Sequence, residues 1–299
     1  MNPPDLLRAE LQKHVANLEA GTAEGASRRS QSAARRSAEV LNELARTSPA
    51  FAECVAMQPG AVPALVAAVA AGGAAATPIL QGAAPLCAEV LHNIVKAGTR
   101  CARLVAMEPG ALPTLVAAMA ASGAAAAPSL QDRATNSAAV LTEIAKAGPE
   151  FTWRLVDTPG ALSTLAAAVS GHSAAAVPRL QVPAANSSKV LDHTAKASPE
   201  FARRMAEEPS VLPALVAALE ASAAALPKLQ STALQSALAL AQVAKASSEL
   251  MWRVVEQPRV LPALVAAIAA GGAAATPGLQ DVAINSSGAL IQIAKAGPD

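Results

Sequence analysis

The sequence predicts an all-α solenoid of tandem three-helix units, and three observations carry that prediction. Pro59, Pro109, Pro159, Pro209 and Pro258 recur every 50 residues, shortened once to 49. A second proline series (Pro78, Pro128, Pro178, Pro227, Pro277) and a glutamine series (Gln31, Gln81, Gln131, Gln181, Gln230, Gln280) keep the same register. Self-similarity at a fixed period of this size marks a stacked array, in which each unit buries its apolar face against its neighbours. Composition is the third observation. Of 299 residues 53% are apolar but only 2% aromatic, with three Phe, two Trp and no Tyr. The interior must be built from Ala, Leu, Val and Ile, and alanine is the strongest helix former.

The register divides the chain into a degenerate N-terminal capping repeat, residues 1–48, and five units: 49–98, 99–148, 149–198, 199–247 and 248–299. In the cap, Leu7, Leu11, Val15 and Leu18 form one apolar stripe with charge elsewhere. Each unit opens on a short helix. Ser198 can cap it, Pro199 suits its first turn, and Glu200 favours the positive end of its dipole. Apolar pairs at i, i+4 mark its buried side: Phe51/Val55, Cys101/Val105, Phe151/Leu155, Phe201/Met205 and Leu250/Val254. A Pro-Gly corner leads into helix two, where glycine can take a positive φ. Ser210 and Arg259 replace the glycine in two units, so the corner does not strictly demand it.

Helix three follows an Ala/Gly-rich connection and has the strongest pattern. Its core columns are Val40, Val90, Val140, Val190, Ala239, Ala289, then Leu41, Leu91, Leu141, Leu191, Leu240, Leu290. A third column is Leu44, Ile94, Ile144, Thr194, Val243, Ile293. A small-residue column, Ser37, Cys87, Ser137, Ser187, Ser236, Ser286, predicts close helix crossings. Pro85 and Pro183 near the expected start predict that helix three begins late or kinks there. The last residues, Lys295-Ala296-Gly297-Pro298-Asp299, read as the start of another unit. No polar C-terminal cap is visible, so end-to-end self-association or a C-terminal continuation is expected.

Several function classes lack support. The net charge of +1 predicts neither a polyanion partner nor an acidic one. Cys54, Cys87 and Cys101 fit no zinc or redox spacing and read as free buried thiols in a reducing compartment. The N-terminus has no basic start followed by an apolar core, as a signal peptide would. Val62 to Leu80 is charge-free and of membrane-spanning length, but it is mostly alanine broken by Pro and Gly, and other units place charges there; no membrane span is expected. His14, His92, His172 and His193 fall at different repeat positions, so no unit repeats a metal or acid–base arrangement. Neither an enzyme nor a cofactor is expected.

Three segments carry a family resemblance: Gly148-Pro149-Glu150-Phe151, then Asp157-Thr158-Pro159-Gly160-Ala161-Leu162, and Val140-Leu141-Thr142-Glu143-Ile144-Ala145. They resemble the armadillo repeat family, with its short helix, glycine corner, "GALPALV" second helix and "ALxNIA" third helix. The resemblance covers residues 49–297 with a lengthened period. It implies a right-handed superhelix whose third helices line a concave groove. Peptide-binding members of that family carry Trp and Asn ladders on helix three. Here the Trp positions hold Glu39, Glu89, Ala139, Lys189, Leu238 and Gly288. The Asn positions hold Glu43, Asn93, Glu143, His193, Gln242 and Gln292, and only Asn93 matches.

Candidate partner-binding residues follow from these columns. On the groove face stand Glu89, Asn93, Glu143, Lys189, His193, Gln242 and Gln292. One turn-pair earlier lie Asn136, Asn186, Gln235 and Asn285, whose amides could bind an extended backbone or simply form a solvated face. A basic column, Arg46, Lys96, Lys146, Lys196, Lys245 and Lys295, ends every third helix. It either complements the helix dipole or grips an acidic partner or phosphates. Trp153 and Trp252 share one repeat position, which should be exposed, and exposed Trp is enriched at interfaces; a partial tuck against a neighbouring unit is the equal alternative. The glutamine column reads as a structural hydrogen bond tying a loop to its neighbour. Arg28-Arg29 and Arg35-Arg36, near Ser27, Ser30 and Ser32, read as a solvated cap loop, with a nuclear signal or a kinase site as the alternatives. The expectation is a non-catalytic protein-binding scaffold, adaptor or structural subunit with a protein or extended-peptide partner. The alternative is a helical-repeat binder of RNA or DNA phosphates. An intracellular, cytoplasmic location is expected, with nucleus or a cytoskeletal or ciliary structure as alternatives.

Overall fold

Serine fixes where the short helices begin. Ser48, Ser198 and Ser247 each accept the backbone N–H three residues on, from Phe51, Phe201 and Leu250. Pro49 and Pro199 take the first helical position, where no N–H is needed. The computed structural model of the protein describes residues 3–121, 127–173, 178–221, 227–271 and 276–295. Every regular element among them is a helix.

Two compact units divide the chain, residues 1–147 and 148–299. The first holds α1 (Pro3–Thr22), α2 (Arg28–Thr47), α3 (Pro49–Met57), α4 (Ala61–Ala71) and α5 (Pro78–Lys96). It continues with α6 (Thr99–Met107), α7 (Ala111–Ala120) and α8 (Pro128–Ala147). The second holds α9 (Pro149–Asp157), α10 (Ala161–Ser173), α11 (Pro178–Ala197), α12 (Pro199–Glu207) and α13 (Val211–Ala221). It ends with α14 (Pro227–Ala246), α15 (Ser248–Val255), α16 (Val260–Ala270) and α17 (Pro277–Lys295). In the first unit α2, α5 and α8 pack in sequence; in the second, α11, α14 and α17 do. Each long helix also rests on its preceding shorter one, as α4 on α5 and α13 on α14.

The corner between α3 and α4 turns the chain by 92°. Gly60 makes it with φ of 79°, and Gly110 and Gly160 take φ of 80° and 72° at the corresponding later corners, the left-handed region that glycine enters without a Cβ clash. Arg259 adopts the same conformation, φ 71°, with a side chain present. Its Nε pairs with Glu220 Oε1 at 2.8 Å.

Two expectations need correction. Helix three does not begin late at Pro85 or Pro183, since α5 starts at Pro78 and α11 at Pro178 and both prolines lie inside. Proline at the first helical position of α5, with Thr77 capping Leu80 N–H, supplies a strong enough start. Nor are all three cysteines buried: Cys87 and Cys101 are, while Cys54 is exposed. Burial pushes the Cys87 thiol up to about 12.

The core columns are buried through the middle of the chain and fail at Val40 and Phe51. Val40 is 40% exposed and Phe51 36%, although Val90, Val140, Phe151 and Phe201 are buried. Among the described residues, 3–48 form two helices, α1 and α2, where each later unit has three. All six members of the small-residue column are buried, as close helix crossing requires. Ser37 there pairs with Asn17 Nδ2 and His14 Nδ1, both at 3.1 Å.

Candidate binding surface

Helix periodicity places the polar columns on one face of each third helix, opposite the buried Val and Leu columns. In the first unit Glu89, Asn93, Asn136 and Glu143 are half-buried, and Lys96 and Lys146 are exposed. Their bonds run between neighbouring helices. Asn42 on α2 donates to Glu89 on α5 at 3.0 Å, and Asn93 donates to Asn42 at 3.5 Å. Arg46 faces the other Glu89 oxygen at 3.8 Å. Lys146 holds Glu143 at 2.7 Å within α8. Asn136 donates to the Pro85 carbonyl at 3.0 Å, so its amide already binds a backbone, that of its own neighbour.

His92 stands in the middle of this row, half-buried, with Nδ1 lacking a hydrogen-bond partner. Burial lowers its pKa, with Glu143 and Glu89 opposing and Lys96 and Lys146 reinforcing the shift. Its column (Asn42, His92, Thr142, Asp192) did not enter the candidate set. The signal was present as four polar residues in succession beside the buried column Leu41, Leu91, Leu141, Leu191. Asp192 is buried, and desolvation raises its carboxyl to about 6 against the attraction of Lys196.

In the second unit Asn186, Lys189, His193, Gln235, Gln242, Asn285 and Gln292 are half-buried, while Lys196, Lys245 and Lys295 are exposed. Asn285 donates to the Asp281 carbonyl in its own helix at 2.8 Å. The face is thus acidic and amide-bearing in the first unit and amide-bearing with lysines in the second. At the end of the second unit Leu261, Val265, Ile284 and Ile291 stand exposed. The sequence Ala296 to Asp299, read as the start of a further unit, lies outside the described residues.

Trp153 and Trp252 are each 44% exposed. Trp153 packs against Phe201 with ring centroids 5.4 Å apart, and the Arg204 guanidinium carbon lies over the indole at 5.3 Å from its centroid. The glutamine column ties connections to helix starts. Gln81 Nε2 donates to the Ala74 and Ala76 carbonyls at 3.0 and 3.1 Å, and Gln31 and Gln230 accept from the Thr77 and Thr276 hydroxyls at 2.8 and 3.0 Å. Arg35 and Arg36 lie on α2 rather than in a loop, and Arg35 pairs with Glu39 at 3.3 Å. Among the described residues no group of three or more His, Cys, Asp or Glu could hold a metal ion. No single described helix is long and apolar enough to cross a membrane.

No family model matches the sequence, and no curated protein does. Solved structures do match in shape. A designed armadillo repeat protein superposes with a TM-score of 0.68 at 19% identity, covering 95% of this chain and 99% of that one. Another, solved in complex with the peptide (KR)4, gives the same score, identity and coverage. A computationally designed armadillo repeat protein for modular peptide recognition scores 0.67 at 20% identity, covering 94% and 99%. The helix order, the left-handed corners and these superpositions together show that the chain has an armadillo-like repeat fold, an all-α solenoid.

Proposed function

We propose that the chain is a non-catalytic protein-binding scaffold that holds an extended segment of a partner against the polar rows of its third helices. The observation that carries this reading is the row itself. Glu89, Asn93 and Glu143 in the first unit, and Lys189, His193, Gln242 and Gln292 in the second, repeat half-exposed hydrogen-bonding groups along the third helices of each unit. A preformed surface of this kind binds through many weak contacts with little rearrangement. Designed proteins of the same fold take peptides, and one was solved with a basic peptide. The acidic side chains of the first unit suit basic partner residues; the lysines of the second suit acidic ones.

Protein contacts are favoured over nucleic-acid phosphates because a phosphate row would carry net basic charge and stacking aromatics, whereas the net charge is +1 and the third helices hold no Phe, Tyr or Trp.

The test is affinity purification from native cells after nuclease treatment, with wild type compared against the charge reversal Glu89→Lys/Glu143→Lys. A stoichiometric protein partner that survives nuclease and is lost from the variant supports the reading. Loss of every partner with nuclease, or equal retention by the variant, overturns it.

A further inference from the structure

Arg133 breaks its own repeat column. The equivalent positions hold Ala83, Pro183, Thr232 and Val282, so the fold does not require a cation there. Yet Arg133 is only 3% exposed. Its Nη1 donates to the Val69 carbonyl in the last turn of α4 at 3.2 Å. Nε is buried without an acceptor. Among the described residues no carboxylate lies within ion-pair distance, and burial alone depresses its pKa. Capping α4 uses one of the five guanidinium N–H groups and leaves the charge uncompensated.

The side chain forms part of the wall of a cavity of about 390 Å3 between α4, α7 and α8. Val69, Ala70, Pro113, Ala117 and Ala118 supply apolar walls, and Thr114 adds a hydroxyl. Ala70, Pro113 and Ala117 are exposed, so the cavity opens to solvent.

We propose that this cavity is a binding site for an aliphatic carboxylate, with Arg133 taking the carboxylate and the alanine-lined wall taking the hydrocarbon. A carboxylate fits the planar guanidinium fork, and a single negative charge matches a single buried cation. A dianion would be half-compensated in an apolar setting and is disfavoured. The same chemistry belongs to a small free acid and to the C-terminal residue of a polypeptide with an apolar side chain. The site is separate from the helix-three rows, so it stands or falls independently of the scaffold reading.

The experiment is calorimetric titration of the full chain with sodium butyrate, with butyramide as the neutral isostere. A short peptide ending in leucine, as free acid and as amide, forms the second arm. Butyrate is expected to bind at millimolar concentration and butyramide not to. Arg133→Met is expected to weaken the interaction by about tenfold or more. Ala117→Leu fills the mouth from an exposed position, so it decides the matter should Arg133→Met fail to fold. Tighter binding of the peptide acid than of butyrate, lost in the amide, supports a polypeptide C-terminus as the source; butyrate binding without peptide binding supports a small acid. Absence of binding of both acids to the wild type overturns the proposal. So does equal binding by the folded variants.

Discussion

Arg204 lies over the indole of Trp153, its guanidinium carbon 5.3 Å from the ring centroid, while its Nη1 holds Asp157 at 2.6 Å. Phe201 packs on the same indole with an interplanar angle of 34°. This cluster joins α9 to α12. Trp252 occupies the same repeat position with the same 44% exposure, but no ring or cation stacks on it among the described residues.

That pairing sets up a comparison in which burial largely cancels. Trp153→Ala is expected to destabilise the protein by about 1–2 kcal/mol more than Trp252→Ala, the worth of an aromatic pair plus a partly exposed cation–π contact. Urea denaturation of both variants measures the difference. Equal losses would mean that the Trp153 cluster adds nothing beyond area.

Asp192 gives stability a pH dependence of opposite sign to the usual carboxylate. Burial raises its carboxyl to about 6, above the unfolded value of about 3.9. Between those values the folded chain keeps a proton that the unfolded chain has released, so its contribution falls as pH rises through the window. Asp192→Asn removes this fall and is expected to stabilise the protein at neutral pH by roughly 1–3 kcal/mol. Urea midpoints below and above the window, for wild type and variant, check it. Parallel pH profiles for the two proteins would contradict the assignment.

The helix-two corner isolates backbone strain. A Cβ at Gly110 would meet nothing within 4 Å, and its φ is 80°. Gly110→Ala is therefore expected to cost about 1–2 kcal/mol from the left-handed conformation alone. Gly110→Asn should cost less, because a short polar side chain tolerates that region. Thermal or urea unfolding of both variants orders them, and an alanine variant as stable as wild type would show that the corner relaxes.

Local chemistry made much of this fold readable in the sequence. The proline and glutamine series, the serine cap at Ser198, and the buried Val and Leu columns follow from helix-end hydrogen bonding and a 3.6-residue period, which act within one segment. The polar rows were legible for the same reason, since Glu89, Asn93 and Glu143 share a face by periodicity alone. Tertiary structure decided what needs a neighbour. Val40 and Phe51 stand exposed although their columns are apolar, and the apolar pattern at those positions cannot register what fails to cover it. Asn136 spends its amide on Pro85 one helix away. Arg133 stands in an apolar cavity because α4 and α7 enclose it, and Asp192 is desolvated by packing that no window of its own helix contains. Burial and partnership are properties of surfaces brought together from distant segments, and the sequence by itself determines only the faces that meet.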